Sequence, residues 1–276
     1  MRLVKAHAYG NDFLLCDEAE IAGGVDRAAL ARELCGRHRG IGADGLIVSA
    51  FAASGSVRGY GETPPLRAGA RMHLLNADGS YSEVSGNGVR CLAAWLAKAG
   101  DVPIGGSIGI ETDAGVKTLE LLAVEGRRLT FRAAMGQPEH VQRRTIDVDG
   151  TPVDAIVLRV GNPQCVVLGE VTTERLHSIA AKLAVHAVFP EGSNVELASV
   201  EAPDRVRILI WERGVGPTEA SGTGACAAAV AAMQYGGAAR DVQVASPGGT
   251  QRVEWTGEGL FLTGWAEVLF EARWLS

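Results

Sequence analysis

The sequence contains no CxxC pair, no run of Lys or Arg longer than two, and only 5% aromatic residues. No apolar stretch approaches the roughly 18 residues a membrane-spanning helix requires, which argues against a membrane partner. The five cysteines, Cys16, Cys35, Cys91, Cys165 and Cys226, form an odd set without framework spacing. That excludes a disulfide scaffold and suits free thiols in a reducing compartment. Six dispersed histidines leave no ligand cluster, so no metal site is expected. The 26 basic residues are scattered among 32 acidic ones, for a net charge of −6, which argues against a nucleic-acid partner. Met1–His7 lacks the apolar core of a signal peptide, so a cytoplasmic location is expected.

What the chain does have is length, apolar residues and glycine. Its 276 residues, 47% of them hydrophobic, suffice for two domains with separate cores. Strand-like runs outnumber helical ones, and many are short and bounded by Gly, Asn or Asp. Helical periodicity covers roughly 27–37, 89–99, 173–183 and 225–235. The order is not a regular βαβ alternation, so the expected class is α+β. The Gly-, Ser- and Pro-rich stretch 52–69 reads as a surface insertion, and 136–141 as the linker between halves.

The most informative feature is an internal repeat. The strand-like run 71–76 ends in Asn76, and nine residues later Ser85-Gly86-Asn87-Gly88 opens a helix. In the second half the run 207–212 ends in Glu212, and nine residues later Ser221-Gly222-Thr223-Gly224 opens another. A second correspondence precedes each: Gly10-Asn11 before an apolar strand, and Gly161-Asn162 before another. Two matches in the same order imply two similar domains related by a pseudo-twofold axis.

A Ser-Gly-x-Gly segment leading into a helix offers first-turn N–H groups at the positive helix end, with glycines that allow close approach of a ligand. Two such ends suit one carboxylate, with a side chain on either face of the carbon that bears it. A two-base racemase needs that arrangement: one group removes the α-proton and its mate supplies one from the opposite side. The plainer reading of Ser85 and Ser221 is that each is a helix N-cap. A rival motif is also present. Gly222-Thr223-Gly224-Ala225-Cys226-Ala227 fits GxGxxA, with Asp241 further on. A dinucleotide fingerprint places its glycines directly after a strand, which this spacing does not.

On these residues the chain resembles diaminopimelate epimerase, a cofactor-independent isomerase. The matching segments include 7–13, 37–45, 76–80, 86–91, 161–163, 212–214 and 222–226. The resemblance implies two pseudo-symmetric domains, each a mixed sheet or barrel wrapped around a central helix, over 1–134 with 264–276 and over 135–263. It implies a diamino diacid substrate, no cofactor, a role in lysine biosynthesis, and an assembly compatible with a homodimer. Ser85 and Ser221 fall at the two catalytic positions. Gly86, Asn87, Gly222 and Thr223 would hold the reacting α-carboxylate. Asn11, Asn76, Asn162, Asn194, Glu212 and Arg213 would hold the α-amine and the distal end.

The chain departs from that family at named positions. Cysteines are usual where Ser85 and Ser221 stand, histidine where Gln164 stands, and glutamine where Gly45 stands. A serine hydroxyl is a far weaker acid than a thiol and needs a strong neighbouring base. Cys91 and Cys226 are conceivable replacement thiols. A catalytically silent amino-acid-binding relative, and a related racemase or dehydratase, are the alternatives to an epimerase.

Overall fold

A computed structural model describes residues 1–51 and 68–275. The expected insertion therefore falls almost wholly outside the described residues; only 68–69 are described, and they open a strand. The chain divides into two compact units, one of Met1–Ala133 with Gly264–Ser276, the other of Ala134–Thr263.

In the first unit eight strands pair into a closed ring. Arg2–Ala8 pairs with Asn11–Asp17 through a hairpin whose turn residues, Tyr9 and Gly10, both have positive φ, at 55° and 87°. Next come Gly45–Phe51, Ala68–Asn76, Ser107–Thr112, Gly115–Glu125 and Arg128–Gly136. The C-terminal part of Gly259–Arg273 closes the ring against the first strand. A ring leaves no unpaired edge, which removes a route to aggregation.

The second unit repeats the order: Thr151–Val160, Asn162–Leu168, Asn194–Ala202, Arg205–Glu212, Asp241–Ser246, Gly249–Thr256 and the start of Gly259–Arg273. From the first hairpin onward, successive pairings in both units run antiparallel, parallel, antiparallel, parallel, antiparallel, antiparallel. Parallel neighbours need long crossovers, and helices supply them at matching places. The first crossover holds Arg27–Cys35 in one unit and the helical stretch 173–184, with a π-turn at Leu176–Ala180, in the other.

The second crossover in each unit is the central helix: Gly86–Ala99 and Gly222–Tyr235, both of 14 residues. Six of the 14 residues of the second are alanine, and Ala225–Ala232 is fully buried in an apolar cluster of the surrounding strands. Small side chains let the ring close tightly around it. The first carries Arg90, only 1% exposed, which hydrogen-bonds Asn87 Oδ1 and lies 5.7 Å from the Tyr9 ring centroid.

Both central helices begin three residues earlier than periodicity predicts, because Ser85 and Ser221 cap them and the glycines form the first turn. Those glycines are therefore helical, and positive φ is not their role. The linker expected at 136–141 is also corrected. The first crossing between units falls at Ala133/Ala134, inside the strand Arg128–Gly136, and Glu139–Val148 is a strand of its own.

Candidate active site

Each unit builds the same constellation at the N-terminal end of its central helix. In the first, Ser85 Oγ accepts from Gly88 N at 3.1 Å; in the second, Ser221 Oγ accepts from Gly224 N at 3.2 Å. The capping role is thus real in both. A single cap satisfies one first-turn donor, and helix geometry leaves the amides of Gly86, Gly222 and Thr223 without intrahelical acceptors. Those amides, at the positive end of the helix, suit a carboxylate.

In the first unit Asn11 follows the hairpin turn, and its side chain is held from two sides. Its Nδ2 donates to Asp44 Oδ2 at 2.8 Å, and its Oδ1 accepts from Asn87 Nδ2 at 3.1 Å. Asp44 belongs to an ion-pair network with Arg37 and Asp12, and Lys5 reaches Asp12 and the Gly42 carbonyl. Burial pushes the Asp12 carboxyl up, but the hydrogen bonds from Arg37 and Lys5 outweigh it and hold Asp12 below its ordinary value. Asn76 ends its strand opposite Gly45 and donates to Ser80 Oγ at 2.9 Å. Gly45 is a packing requirement: a Cβ there would meet the Leu75 carbonyl at 2.8 Å.

In the second unit Asn162 and Gln164 share one strand face, and Asn194 and Glu196 share the matching face of the parallel neighbour, with Gln164 opposite Asn194. Asn194 Oδ1 accepts from Arg213 N at 2.9 Å. Arg213 is exposed, with Nη1 donating to the Glu191 carbonyl at 2.6 Å. It does not pair with Glu212 among the described contacts. Thr223 Oγ1 lies 3.5 Å from Ser221 Oγ. Gln164 is fully buried beside Asn162 and Glu196.

Glu196 is the residue that sequence reasoning missed. It is 0% exposed, and its Oε1 lies against the helix start: a Cβ at Gly224 would sit 2.6 Å from it. Burial, and then the facing Glu212 carboxylate, raises its pKa well above the carboxylate range. The signal lay in the sequence. An acidic residue stands inside the apolar run Val195-Glu196-Leu197-Ala198, two residues from Asn194. At the matching place in the first unit stands Ile47, whose Cδ1 lies 3.1 Å from a Cβ at Gly88.

No replacement thiol emerges. Cys91 and Cys226 are both 0% exposed, and burial raises the Cys91 pKa. The dinucleotide reading fails too, since Ser221 caps the helix and Asp241 opens a strand, paired with Arg252.

A duplicated α+β fold with a serine-capped, amide-rich helix start in each unit places the protein among the epimerase and racemase folds. Solved structures of that kind match along almost its whole length. A predicted epimerase from Pseudomonas aeruginosa covers 100% of the chain and 99% of its own, with a TM-score of 0.72 at 17% identity. A hydroxyproline epimerase from Agrobacterium vitis, with trans-4-hydroxy-L-proline bound, covers 99% and 90% with a TM-score of 0.68 at 15% identity. At such identities these show the fold alone. The sequence matches the family described as diaminopimelate epimerase over residues 3–141 and 156–269. It is 37% identical to the diaminopimelate epimerase of Desulforudis audaxviator, covering 100% of this chain and 99% of that one. The chain belongs to the diaminopimelate epimerase family.

Proposed function

We propose that the protein binds a diamino diacid and interconverts LL- and meso-2,6-diaminopimelate by two-base proton transfer, without PLP or metal. The observation that carries this is the matched pair of helix starts, each with Ser at the cap and bordered by amide side chains. In this reading the first-turn amides of Gly86, Asn87, Gly222 and Thr223 hold the α-carboxylate and stabilise charge as the α-carbon loses its proton. Asn11, Asn76, Asn162, Asn194, Glu212 and Arg213 hold the α-amine and the distal amino-acid end, since ammonium groups want carboxylate and amide oxygens and a carboxylate wants a guanidinium. Ser85 and Ser221 take the two faces of the α-carbon, one accepting a proton and the other donating. The domain boundaries of this reading are 1–134 with 264–276, and 135–263. Lysine and peptidoglycan precursor supply, in the cytoplasm, is the setting such a reaction serves. A homodimer fits the exposed Leu122 and Val124 on one strand.

A second reading rests on a specific observation. Both serine hydroxyl oxygens are engaged as caps and are weak acids, which favours a catalytically silent amino-acid-binding relative. One experiment separates the two. Incubation with LL-diaminopimelate in deuterated water should give α-deuterium and meso product. Ligand binding by calorimetry with no deuterium incorporation would establish the silent binder.

A further inference from the structure

Arg90 and Cys226 occupy matching positions of the two central helices, each five residues after its serine cap. Both are buried, Arg90 at 1% and Cys226 at 0% exposed. A guanidinium sealed from water is costly unless its donors are used. Arg90 donates to Asn87 Oδ1. Asn87 Nδ2 donates in turn to Asn11 Oδ1 at 3.1 Å, and Asn11 Nδ2 to Asp44 Oδ2 at 2.8 Å.

The bonds of this line all run one way, because its ends cannot exchange roles. A guanidinium only donates. At the other end Asp44 Oδ2 also accepts from Asp12 N at 3.0 Å, and Asp44 Oδ1 accepts from Arg37 at 2.7 Å. Turning both amides over would set Asn87 Nδ2 against the guanidinium and Asn11 Oδ1 against the carboxylate. Turning either one alone would also set two donors and two acceptors against each other. The orientation of each amide is therefore fixed by groups outside the pair.

The same guanidinium reaches Asn11 by a second route. Its Cζ lies 5.7 Å from the ring centroid of Tyr9, which stands two residues before Asn11 in the hairpin turn. Tyr9 has φ of 55°, a left-handed conformation uncommon for a bulky side chain. Such a residue persists where its surroundings hold it. Trp265 N donates to Tyr9 Oη at 3.2 Å. Gly264 leaves room for this packing, since a Cβ there would meet Tyr9 Oη at 3.1 Å and Arg90 Cζ at 3.4 Å.

We propose that Arg90 is a positioning residue: it directs the Asn87 and Asn11 carboxamides and braces the turn, so that Asn11 meets the ligand with preset edges. Among the described contacts the line leaves Asn11 one lone pair and one N–H. The lone pair suits an ammonium and the N–H a carboxylate, the groups carried at each end of a diamino diacid. The role rests on the reading of Asn11 as a ligand contact. In the second half, where Cys226 replaces the guanidinium, Asn162 lies beside Gln164 of its own strand instead.

Calorimetry with meso-diaminopimelate tests the role. Arg90→Met keeps an unbranched stem without a donor, and binding should weaken about tenfold. Arg90→Lys keeps a charged donor without the planar fork and should lose about threefold. Disturbed packing alone would also weaken binding, so the deciding arm is a cycle with Asn11→Ala. In that background each Arg90 variant should bind within about twofold of Asn11→Ala itself. Equal losses in both backgrounds would overturn the proposal. Should the variants fail to fold or to bind measurably, side-chain amide NMR of the unsubstituted, ligand-free protein labelled at asparagine decides. The Asn11 and Asn87 carboxamides should each hold one orientation with slowed rotation, and interconverting orientations would be equally fatal. No binding by the unsubstituted protein would count against the functional reading alone, and the amide signals would still test the brace.

Discussion

The serines at the two helix caps are a single change of atom from thiols, and the helix start is where such a change has most effect. A helix N-terminus lowers the pKa of a thiol at its cap. Ser85→Cys with Ser221→Cys should raise the epimerisation rate by about 10²–10⁴-fold, the usual range for a placed acid/base pair. Each single variant should do much less, because inversion needs an acceptor on one face and a donor on the other. The assay is product formation in both directions under reducing conditions. An unchanged rate with intact binding would mean the site has been rebuilt around Gln164. Most candidate residues were legible because polar side chains stood at repeated positions beside glycine. Glu196 escaped because it has no polar counterpart in the first unit, where Ile47 fills the same place. Gly45 read as a missing side chain, whereas backbone packing at 2.8 Å leaves no room for one.

At the scale of elements, the duplicated helix starts give an internal control. Gly88 and Gly224 hold matching positions but face different neighbours: Ile47 Cδ1 at 3.1 Å for one, Glu196 Oε1 at 2.6 Å for the other. A methyl end moves by a few tenths of an ångström at little cost, while a buried carboxyl tied to Gln164 does not. Gly224→Ala should lose about 1–3 kcal/mol and Gly88→Ala clearly less, as read by denaturant midpoints. Equal losses would show that the helix backbone, and not the packing beneath it, sets the requirement. The repeat itself was readable because cap, spacing and helix recur together. Its full extent was not. The strand Glu139–Val148 is mostly exposed and polar, so it carries no alternation to detect, and Asn194–Ala202 is buried through its first half, which hides the period of two.

Across the whole molecule, the first unit is completed by residues from the far end of the chain. Arg2–His7 pairs with the run from Glu267 to Arg273, and Trp274 N donates to the Met1 carbonyl at 2.8 Å. Trp265 stacks on Tyr9 with ring centroids 4.3 Å apart, and Arg128 meets Glu267. Removing residues 264–276 should open the ring of the first unit and leave the second largely intact, visible as loss of amide protection confined to 1–133 in hydrogen exchange. Uniform loss across both units would mean that neither holds without the other.

This closure has a consequence for how the protein is made. On the ribosome the first unit emerges first, yet its ring lacks a member until residues beyond 263 are out. At roughly 5–20 residues per second, about ten seconds pass between the two events. Throughout that interval the strand Arg2–Ala8 has one partner instead of two, and by its end, at Thr263, every strand of the second unit's run has been translated. The half translated later is thus the first to have all its strands available, and the nascent first half waits with the edge of its first strand unpaired.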